Sequence, residues 1–413
     1  MKLVVFVLSV AVWSWAVPCQ AKDCAECHSA VTPNIVSDWK TSKHASYSVG
    51  CAACHSDAHS SAEDVAKAGL PTAETCRACH KDQFAQFSKG KHALAWAAMK
   101  AMPTFHWQPS ALVDGMKGCG GCHKIGLKTQ DEIKELKKSG SGFGHASCDS
   151  CHTRHAFSKA EAQQPQACAT CHMGFDHPQW EMYSTSKHGV RFQLKQHKIL
   201  PEEASAPSCQ TCHVVAGNHN NRTAWGFLAL RLPMPADARW QKDRATILRA
   251  LGVLDGEGKT TSRFEVFKAA DLFRSTEEAW QELRNASLKA CAACHSRNFA
   301  RAELEKADSM IREADRVMAE AITIVAGLYR DGILKKPASY AEAFPDLLAF
   351  HDAPTEIEHQ LFLMFMEYRM RTFQGAFHAN PDYTFWYGWS ALQQALTGVK
   401  EKESAMRRIH EGK

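Results

Sequence analysis

The clearest pattern of apolar and polar positions lies in the last third of the chain, where apolar residues recur at alternating three- and four-residue steps. This spacing predicts one apolar face of a long α-helix. A second helix is predicted over Thr355 to Phe377, because Pro354 stands near its start and HANPDY at 378–383 ends it. A third helix is predicted from about Ser390. The first apolar face comprises Leu304, Ala307, Ile311, Ala314, Met318, Ala321 and Val325.

Before residue 300 the apolar runs are short and predict short helices and turns. The exception is a helical insertion, in which WGFLALRLPMPADARW is followed by DRATILRALGVLDGEGKTTSRF, where a helical pattern ends at a Gly-rich turn. The fold class is therefore predicted to be mainly α. We expect an array of short helices over residues 22–299 and a helical domain over 300–413, whose long helices pack on another subunit or on their own chain.

The first 21 residues have the pattern of a signal peptide. Lys2 is a charged start, Leu3 to Val17 form an apolar run, and Cys19-Gln20-Ala21 offers small residues for cleavage after Ala21. A membrane anchor is the weaker interpretation, because a span needs about twenty apolar residues. We therefore expect export and a soluble periplasmic protein.

Cysteines and histidines recur together: CAACH stands at 51–55 and again at 291–295, and its spacing occurs eight times. A histidine directly after Cys-x-x-Cys is the attachment signature of haem c, whereas disulfides and zinc sites do not need it. Sixteen of 17 cysteines are used, and the other, Cys19, lies in the predicted signal peptide. We predict eight covalently attached haems, at Cys24/Cys27/His28, Cys51/Cys54/His55, Cys76/Cys79/His80, Cys119/Cys122/His123, Cys148/Cys151/His152, Cys168/Cys171/His172, Cys209/Cys212/His213 and Cys291/Cys294/His295.

The formal charge of +5 does not indicate a nucleic-acid partner. Each haem adds two propionates against a smaller positive charge at the iron, so the holoprotein is expected to be near neutral or acidic. No basic run or aromatic-interleaved nucleic-acid motif appears in the sequence.

The remaining histidines are candidates for the second axial ligand, which electron-transfer haems usually carry and a substrate-binding haem lacks. Of 22 histidines, 14 lie outside the motifs, ten of them before residue 295. These suffice for seven distal ligands. SKHA, GKHA and SKHG place His44, His92 and His188 in similar settings, and we predict all three as distal ligands. Next come His59, His145 and His219; the other four are His106, His155, His177 and His197.

The segments between the motifs resemble the octahaem hydroxylamine oxidoreductase (HAO) family. The matching segments are VTPNIVSDWKTSKHA, CDSCHTRHAFSKAEA, CHMGFDHPQWEMYSTSKHG and GCGGCHKIG. The resemblance implies a multihaem cytochrome c array in which the fourth haem, on Cys119, Cys122 and His123, is catalytic and has an open iron face. It also implies a trimer, because oxidising members bond a tyrosine of a neighbouring subunit to that haem. Within NPDYTFWYGW, Tyr383 is the candidate, ahead of Tyr387. Members without this tyrosine are thought to run reductively.

Oxidation of hydroxylamine releases protons as well as electrons, so a proton acceptor is needed beside the iron. A histidine oriented by a carboxylate suits this role. The candidates are His155 in CHTRH, and Asp176 with His177 in GFDHPQ. Alternatively, either histidine is a distal ligand of a neighbouring haem and Asp176 caps a turn.

Three functions follow from these observations. The first is oxidation of hydroxylamine or a similar small nitrogen compound, and the second is reduction of nitrite or hydroxylamine on the same scaffold. The third is a non-catalytic multihaem electron carrier with no open iron. No phosphate-binding loop for NAD or flavin is visible, so a cytochrome or quinone-linked protein is expected to be the redox partner.

Overall fold

The computed structural model describes residues 23–102, 109, 113, 117–273, 275–340, 343–349 and 353–412. The predicted signal peptide, Cys19 and His106 lie outside these residues. The described residues form two compact units, one up to residue 71 with 154–158, the other from 72 to 153 and from 159 onward. The described helical structure confirms the predicted mainly α class, since the single β contact in the described residues is an isolated bridge between Leu254 and Thr260.

The smaller unit consists of short helices with almost no protein core. Among its described residues only Val36 and Ser42 are buried. A chain that buries so little apolar surface gains little from the hydrophobic effect. Its helices are Cys24–Val31, Pro33–Thr41, Lys43–Ser46 and Ala52–His55, followed by the 3₁₀ helix Ala62–Lys67.

The larger unit begins with a similar array of short elements. Its α-helices up to residue 213 are Ala73–Arg77, Lys81–Lys89, Ala95–Ala101, Cys119–His123, Gln130–Lys138, Lys159–Ala162, Gln166–Ala169, Gln179–Ser184, Lys187–Gln196 and Cys209–His213. The 3₁₀ helices are His92–Leu94, Cys148–Ser150 and Val215–Gly217.

Long helices form the second half of this unit. They are Ala238–Ala250, Ser262–Ala269, Glu277–Cys291, Arg297–Arg330, Glu356–Leu363, Met370–Phe377 and Ala391–His410, with π-helical segments at Met364–Arg369 and Tyr383–Ser390. The helix predicted over Thr355 to Phe377 is confirmed, although it contains a π-helical stretch, and so is the helix predicted from about Ser390. The helix of the insertion ends as expected at a turn where Gly252 has φ +66°.

The predicted apolar face is confirmed in the helix Arg297–Arg330. Six of its seven residues are buried, and Leu304 is partly buried. They pack on their own chain, because Val317, Met318 and Ile322 share one apolar cluster with Ile247, Leu361 and Leu396 of neighbouring helices. This helix also continues across residue 300, where the sequence predicted a domain boundary.

None of the described helices is both long enough and apolar enough to cross a membrane. LFLMFM at 361–366 is accordingly part of the helical core.

A fully buried carboxylate ties the long helices together. Asp315 Oδ1 accepts hydrogen bonds from Arg369 Nε at 2.8 Å, and Oδ2 accepts from Arg244 Nη1 at 3.0 Å and Trp240 Nε1 at 2.8 Å. Asp315 and Arg369 are both 0% exposed. Burial alone would raise the pKa of Asp315, but the two guanidinium groups lower it below its ordinary value, so the carboxylate stays charged.

We predict that Asp315→Asn destabilises the helical core by about 3–5 kcal/mol, because it leaves two buried guanidinium groups without their counter-charge. Urea unfolding of the holoprotein, followed by far-ultraviolet circular dichroism, measures this loss. The matched control is Asp331→Asn, which removes a carboxylate from a partly exposed pair with Arg407 and should have a much smaller effect. Equal effects of the two variants would contradict a special role for Asp315.

Candidate haem sites and candidate active site

All eight Cys-x-x-Cys-His motifs lie within the described residues, and several form a short helical turn of their own. Cys119–His123 and Cys209–His213 are examples, each with a cysteine at the first helical position and the histidine at the last. One helical turn therefore brings the two thiols and the imidazole of a motif close together.

Six motif histidines lie opposite a second histidine at a nearly constant separation of ring centres, between 5.9 and 6.4 Å. In each pair the second histidine comes from another part of the chain. The pairs are His28–His59 (6.2 Å), His55–His155 (6.1 Å), His92–His172 (5.9 Å), His152–His219 (6.3 Å), His188–His295 (6.1 Å) and His213–His378 (6.4 Å).

This separation fits two imidazoles that ligate one iron from opposite faces. A bond between a metal and an imidazole nitrogen is about 2 Å long and the nitrogen lies about 1 Å from its ring centre, which gives about 6 Å across the metal. Burial lowers the pKa of His92, His172 and His213 to about 4. Their rings are therefore neutral, and neutral imidazole is the form that binds a metal.

The Nδ1 atoms of many of these rings are already occupied. His55 Nδ1 donates to Gly69 O at 2.8 Å, His123 Nδ1 donates to Ala95 O at 3.2 Å, and His378 Nδ1 donates to Gln374 O at 2.8 Å. His28 Nδ1 lies 2.9 Å from the Thr32 hydroxyl. Because Nδ1 is held in this way, Nε2 is left for a metal, as in other metal-ligating histidines.

Thiols of different motifs also lie side by side. Hydrogen bonds join the thiols of Cys76 and Cys148, of Cys122 and Cys171, and of Cys168 and Cys209. The sixth motif, Cys168 to His172, therefore neighbours both the fourth motif and the seventh. Haems attached at these thiols would follow one another within the larger unit.

Five of the predicted attachment residues lie wholly or partly at the surface, and their geometry does not confirm the prediction. Cys79, His80 and Cys294 are exposed, whereas Cys27 and Cys54 are half-buried. An exposed thiol is not enclosed by protein in a way that would indicate a cofactor site. For these five residues, attachment of haem stays a prediction that rests on the sequence motif.

The third motif differs from the six paired motifs in its histidine. His80 comes directly before the helix Lys81–Lys89, and its carbonyl oxygen accepts from Phe84 N at 3.0 Å. The sequence predicted seven distal histidines, and the six described pairs do not include the ring of His80. One sequence candidate, His106, lies outside the described residues. The second ligand of the haem on His80 therefore stays unassigned.

Two predicted distal ligands have other described neighbours. The ring of His44 lies 5.1 Å from Phe157, edge to face. Buried His145 donates from Nε2 to Ser141 O at 3.0 Å, so its free nitrogen is Nδ1. A ligand role for His44 and His145 therefore stays a prediction.

The fourth motif histidine has a different neighbour, the ring of His177, whose centre lies 6.4 Å from that of His123. The His177 ring is also 6.4 Å from that of His172, which already pairs with His92 at the shorter distance of 5.9 Å. His177 is thus shared between two motif histidines, unlike the six second histidines above. Phe227 stacks on it at 4.4 Å with an angle of 3° between the ring planes.

Asp176 lies beside His177, as the sequence predicted. Its Oδ2 is 3.0 Å from His177 Nδ1. Burial raises the pKa of Asp176, but the hydrogen bond and charge of His177 outweigh this effect and lower it overall. An ionised carboxylate here orients the imidazole and stabilises its protonated form.

The segment that carries Asp176 and His177 is anchored on both sides. Gly174 N donates to Glu181 Oε1 at 2.9 Å, and Arg371 Nη2 donates to Phe175 O at 3.0 Å. His155, the other predicted proton acceptor, lies elsewhere, opposite His55 in the smaller unit.

Tyr383 begins a π-helical segment rich in aromatic residues. Its ring is half-buried against the cluster of Met182 and Phe373 and lies 5.0 Å from that of Tyr387. Three side chains that follow it, Phe385, Trp386 and Tyr387, are 51%, 65% and 50% exposed. Burial raises the pKa of Tyr383, so its hydroxyl keeps its proton at neutral pH.

The sequence analysis did not single out His378, Gln179 and Gln374. His378 was missed because ligands were sought before residue 295, and no local pattern joins it to His213. Gln179 Oε1 lies 3.4 Å from His172 Nδ1, and its amide donates to Gln374 Oε1 at 2.7 Å. Gln374 O in turn accepts from His378, so hydrogen bonds connect members of two histidine pairs.

We predict that His378→Ala converts one low-spin haem of the holoprotein to high spin, because the haem on His213 loses its second ligand. Electron paramagnetic resonance of the oxidised protein counts the two spin states. The exposed His359, whose described ring contact is with Phe362, supplies the control variant His359→Ala, which should leave the count unchanged. An unchanged low-spin count in His378→Ala would show that the ring separation does not report ligation.

Comparisons with known proteins agree on the class of this chain. A family model described as "Seven times multi-haem cytochrome CxxCH" matches residues 47–245 and 260–339. A probable nitrite reductase-hydroxylamine oxidoreductase fusion protein of Kuenenia stuttgartiensis is 26% identical over 94% of this chain and 52% of its own length. A high-molecular-weight cytochrome c of Nitratidesulfovibrio vulgaris is 26% identical over 48% of this chain and 45% of its own. The chain thus spans about half the length of these curated relatives.

Two solved structures share the fold. A reducing HAO-like protein complex of Kuenenia stuttgartiensis superposes with a TM-score of 0.69 at 25% identity, covering 94% of this chain and 85% of that one. A hypothetical multihaem protein superposes with a TM-score of 0.66 at 18% identity, covering 94% and 96%. The matched model spans more than half of the chain, and the relatives confirm the resemblance found in the sequence. The chain therefore belongs to the multihaem cytochrome c family and is an HAO-like member of it.

Proposed function

We propose that this chain is a periplasmic octahaem oxidoreductase that acts on a small nitrogen compound, hydroxylamine, at the haem attached to Cys119, Cys122 and His123. The names of the Kuenenia relatives support this substrate class. When bound, a haem with one open iron position supplies a binding site for the substrate nitrogen and exchanges electrons with it. The other seven haems carry these electrons to or from a cytochrome or quinone-linked partner.

The position of His177 is the observation that carries this proposal. Each of the six paired motif histidines has a second histidine, whereas His177 lies 6.4 Å from both His123 and His172. Since His172 already has His92, and since Asp176 and Phe227 both hold the His177 ring, we assign His177 to proton transfer. This assignment leaves the second axial position at His123 for substrate.

Asp176 and His177 supply the acid–base chemistry in this proposal. His177 Nδ1 donates its proton to Asp176 Oδ2, which leaves Nε2 to take a proton from the substrate or to return one. Asp176 stabilises the imidazolium that results, and the stacked Phe227 keeps the ring plane fixed. His155 is assigned to ligation of the haem on His55.

The redox route follows from the neighbouring motifs. The fourth motif contacts the sixth through Cys122 and Cys171, and the sixth contacts the seventh through Cys168 and Cys209. Electrons would therefore pass between the catalytic haem and the haem on His172 first. The exposed aromatic side chains of Phe385, Trp386 and Tyr387 support assembly of the chain into a homotrimer.

Reduction of nitrite or hydroxylamine is the second candidate function. Two observations favour it: the solved structure at 25% identity is described as a reducing HAO-like complex, and Tyr383 is half-buried against its own chain. A covalent bond from Tyr383 to a haem of another subunit requires that its ring reach beyond this packing.

We predict that His177→Ala lowers turnover of hydroxylamine about 10²- to 10⁴-fold, because an acid–base group is lost. The low-spin and high-spin haem counts should stay as in the wild type. Asp176→Asn should lower turnover in the same direction while keeping the shape of the side chain. The control His219→Ala removes one member of a pair and should reduce the low-spin count by one.

The opposite result is informative. If His177→Ala removes a low-spin signal and creates a high-spin one, His177 is an axial ligand. A wild-type protein without any high-spin haem would then identify the chain as an electron carrier without an open iron.

We predict that the direction of the reaction is readable from the mass of the holoprotein and of its haem peptides. In the oxidative direction, mass spectrometry should find eight haems and a Tyr383 peptide linked to haem. This link should vanish in Tyr383→Phe and persist in the matched control Tyr387→Phe. An unlinked Tyr383 together with a high-spin haem selects the reductive direction.

A further inference from the structure

We infer that Asp64 sets the haem between His28 and His59 at a low reduction potential, through a charged hydrogen bond to the distal ligand. The inference rests on the proposed ligation of one iron by His28 and His59. It does not depend on the substrate or on the direction of the reaction, because it concerns electron transfer at a haem far along the sequence from His123.

Asp64 is placed on the His59 ring by several contacts. Its Oδ1 accepts from His59 Nδ1 at 2.8 Å, from Ser61 N at 2.9 Å and from Ser60 N at 3.0 Å. Ser61 and Asp64 form the capping box of the 3₁₀ helix Ala62–Lys67, which fixes the carboxylate relative to the backbone. The carboxylate is 17% exposed and the His59 side chain 23%.

The nearest cation does not cancel this charge. Lys67 Nζ lies 3.6 Å from Asp64 Oδ2, on the oxygen away from His59, and its side chain is 65% exposed. Solvent and salt screen such an exposed cation much more than they screen the direct hydrogen bond. The negative charge therefore acts chiefly on the imidazole.

The other described Nδ1 partners of the paired histidines are neutral. His55 and His378 donate to backbone carbonyl oxygens, while His172 meets the Gln179 amide oxygen. The side-chain amide of Asn221 contacts His92 Nδ1. On the opposite face of the same site, His28 meets the hydroxyl of Thr32. Among these described pairs, a carboxylate on Nδ1 distinguishes His59.

A carboxylate on Nδ1–H makes the imidazole a stronger donor to iron. Partial transfer of the proton toward Asp64 increases electron density at Nε2, and outer hydrogen-bond partners of this kind tune metal sites measurably. Stronger donation favours ferric over ferrous iron and lowers the reduction potential. This haem would thus give up electrons more readily than a haem with two neutral ligand environments.

The test is a redox titration of the holoprotein monitored by electron paramagnetic resonance. His59→Ala first identifies the low-spin signal of this haem by removing it. Asp64→Asn keeps an oxygen that accepts from His59 but removes the charge. We expect its midpoint to rise by a tenfold change in the equilibrium constant, which is 59 mV for one electron. The control Asp57→Asn removes an exposed charge from the same segment and should leave this midpoint in place.

Two results would overturn the inference. One is an unchanged midpoint in Asp64→Asn with the low-spin signal intact, and the other is an equal shift in Asp57→Asn. If Asp64→Asn loses the signal, Thr32→Asp decides, because a carboxylate against His28 should lower the midpoint and an unchanged value refutes the mechanism. If His59→Ala removes no low-spin signal, the proposed ligation fails, which is distinguishable from failure of the tuning.

Discussion

Pairs of imidazole rings, with centres 5.9–6.4 Å apart, fix where the short helices of this chain lie relative to one another. Each pair joins a motif helix to a second segment, and hydrogen bonds at Nδ1 hold several of these rings in place. The smaller unit shows the effect most clearly, since it contains two such pairs and buries only Val36 and Ser42 among its described residues. Its order therefore has to come from ligation and from the flat apolar faces of haem, with little help from a protein core.

The second half of the larger unit is stabilised by different means. Its helices bury a continuous apolar cluster around Val317, Met318 and Ile322, and the charge of Asp315 is balanced within it by Arg369 and Arg244. Hydrophobic burial of this extent does not need a cofactor. The helix Met370–Phe377 links the two kinds of structure, because Gln374 and the adjoining His378 connect the helical core to two histidine pairs.

Local patterns predicted the attachment motifs and the apolar face of Arg297–Arg330, because both are set by spacing within a few turns of chain. The sequence also predicted that Asp176 and His177 act together, since they are adjacent. Ring pairing is a tertiary property and was predicted only in part. His155 was weighed equally as a proton acceptor and as a ligand, and only its separation from His55 favours the ligand role. His378 was missed because about 165 residues separate it from His213.

The separation of His213 and His378 along the chain also has a consequence for the order of assembly. Ribosomes make a protein from its N-terminus, so Cys209 and Cys212 emerge long before the ring that faces their histidine. By contrast, His59 follows His28 by about 31 residues. The haem of the first motif can thus complete its coordination early, while that of the seventh must wait until nearly the whole polypeptide is present. Any chain that stops short of residue 378 would carry an incompletely ligated iron, which makes this haem a natural reporter of full-length synthesis.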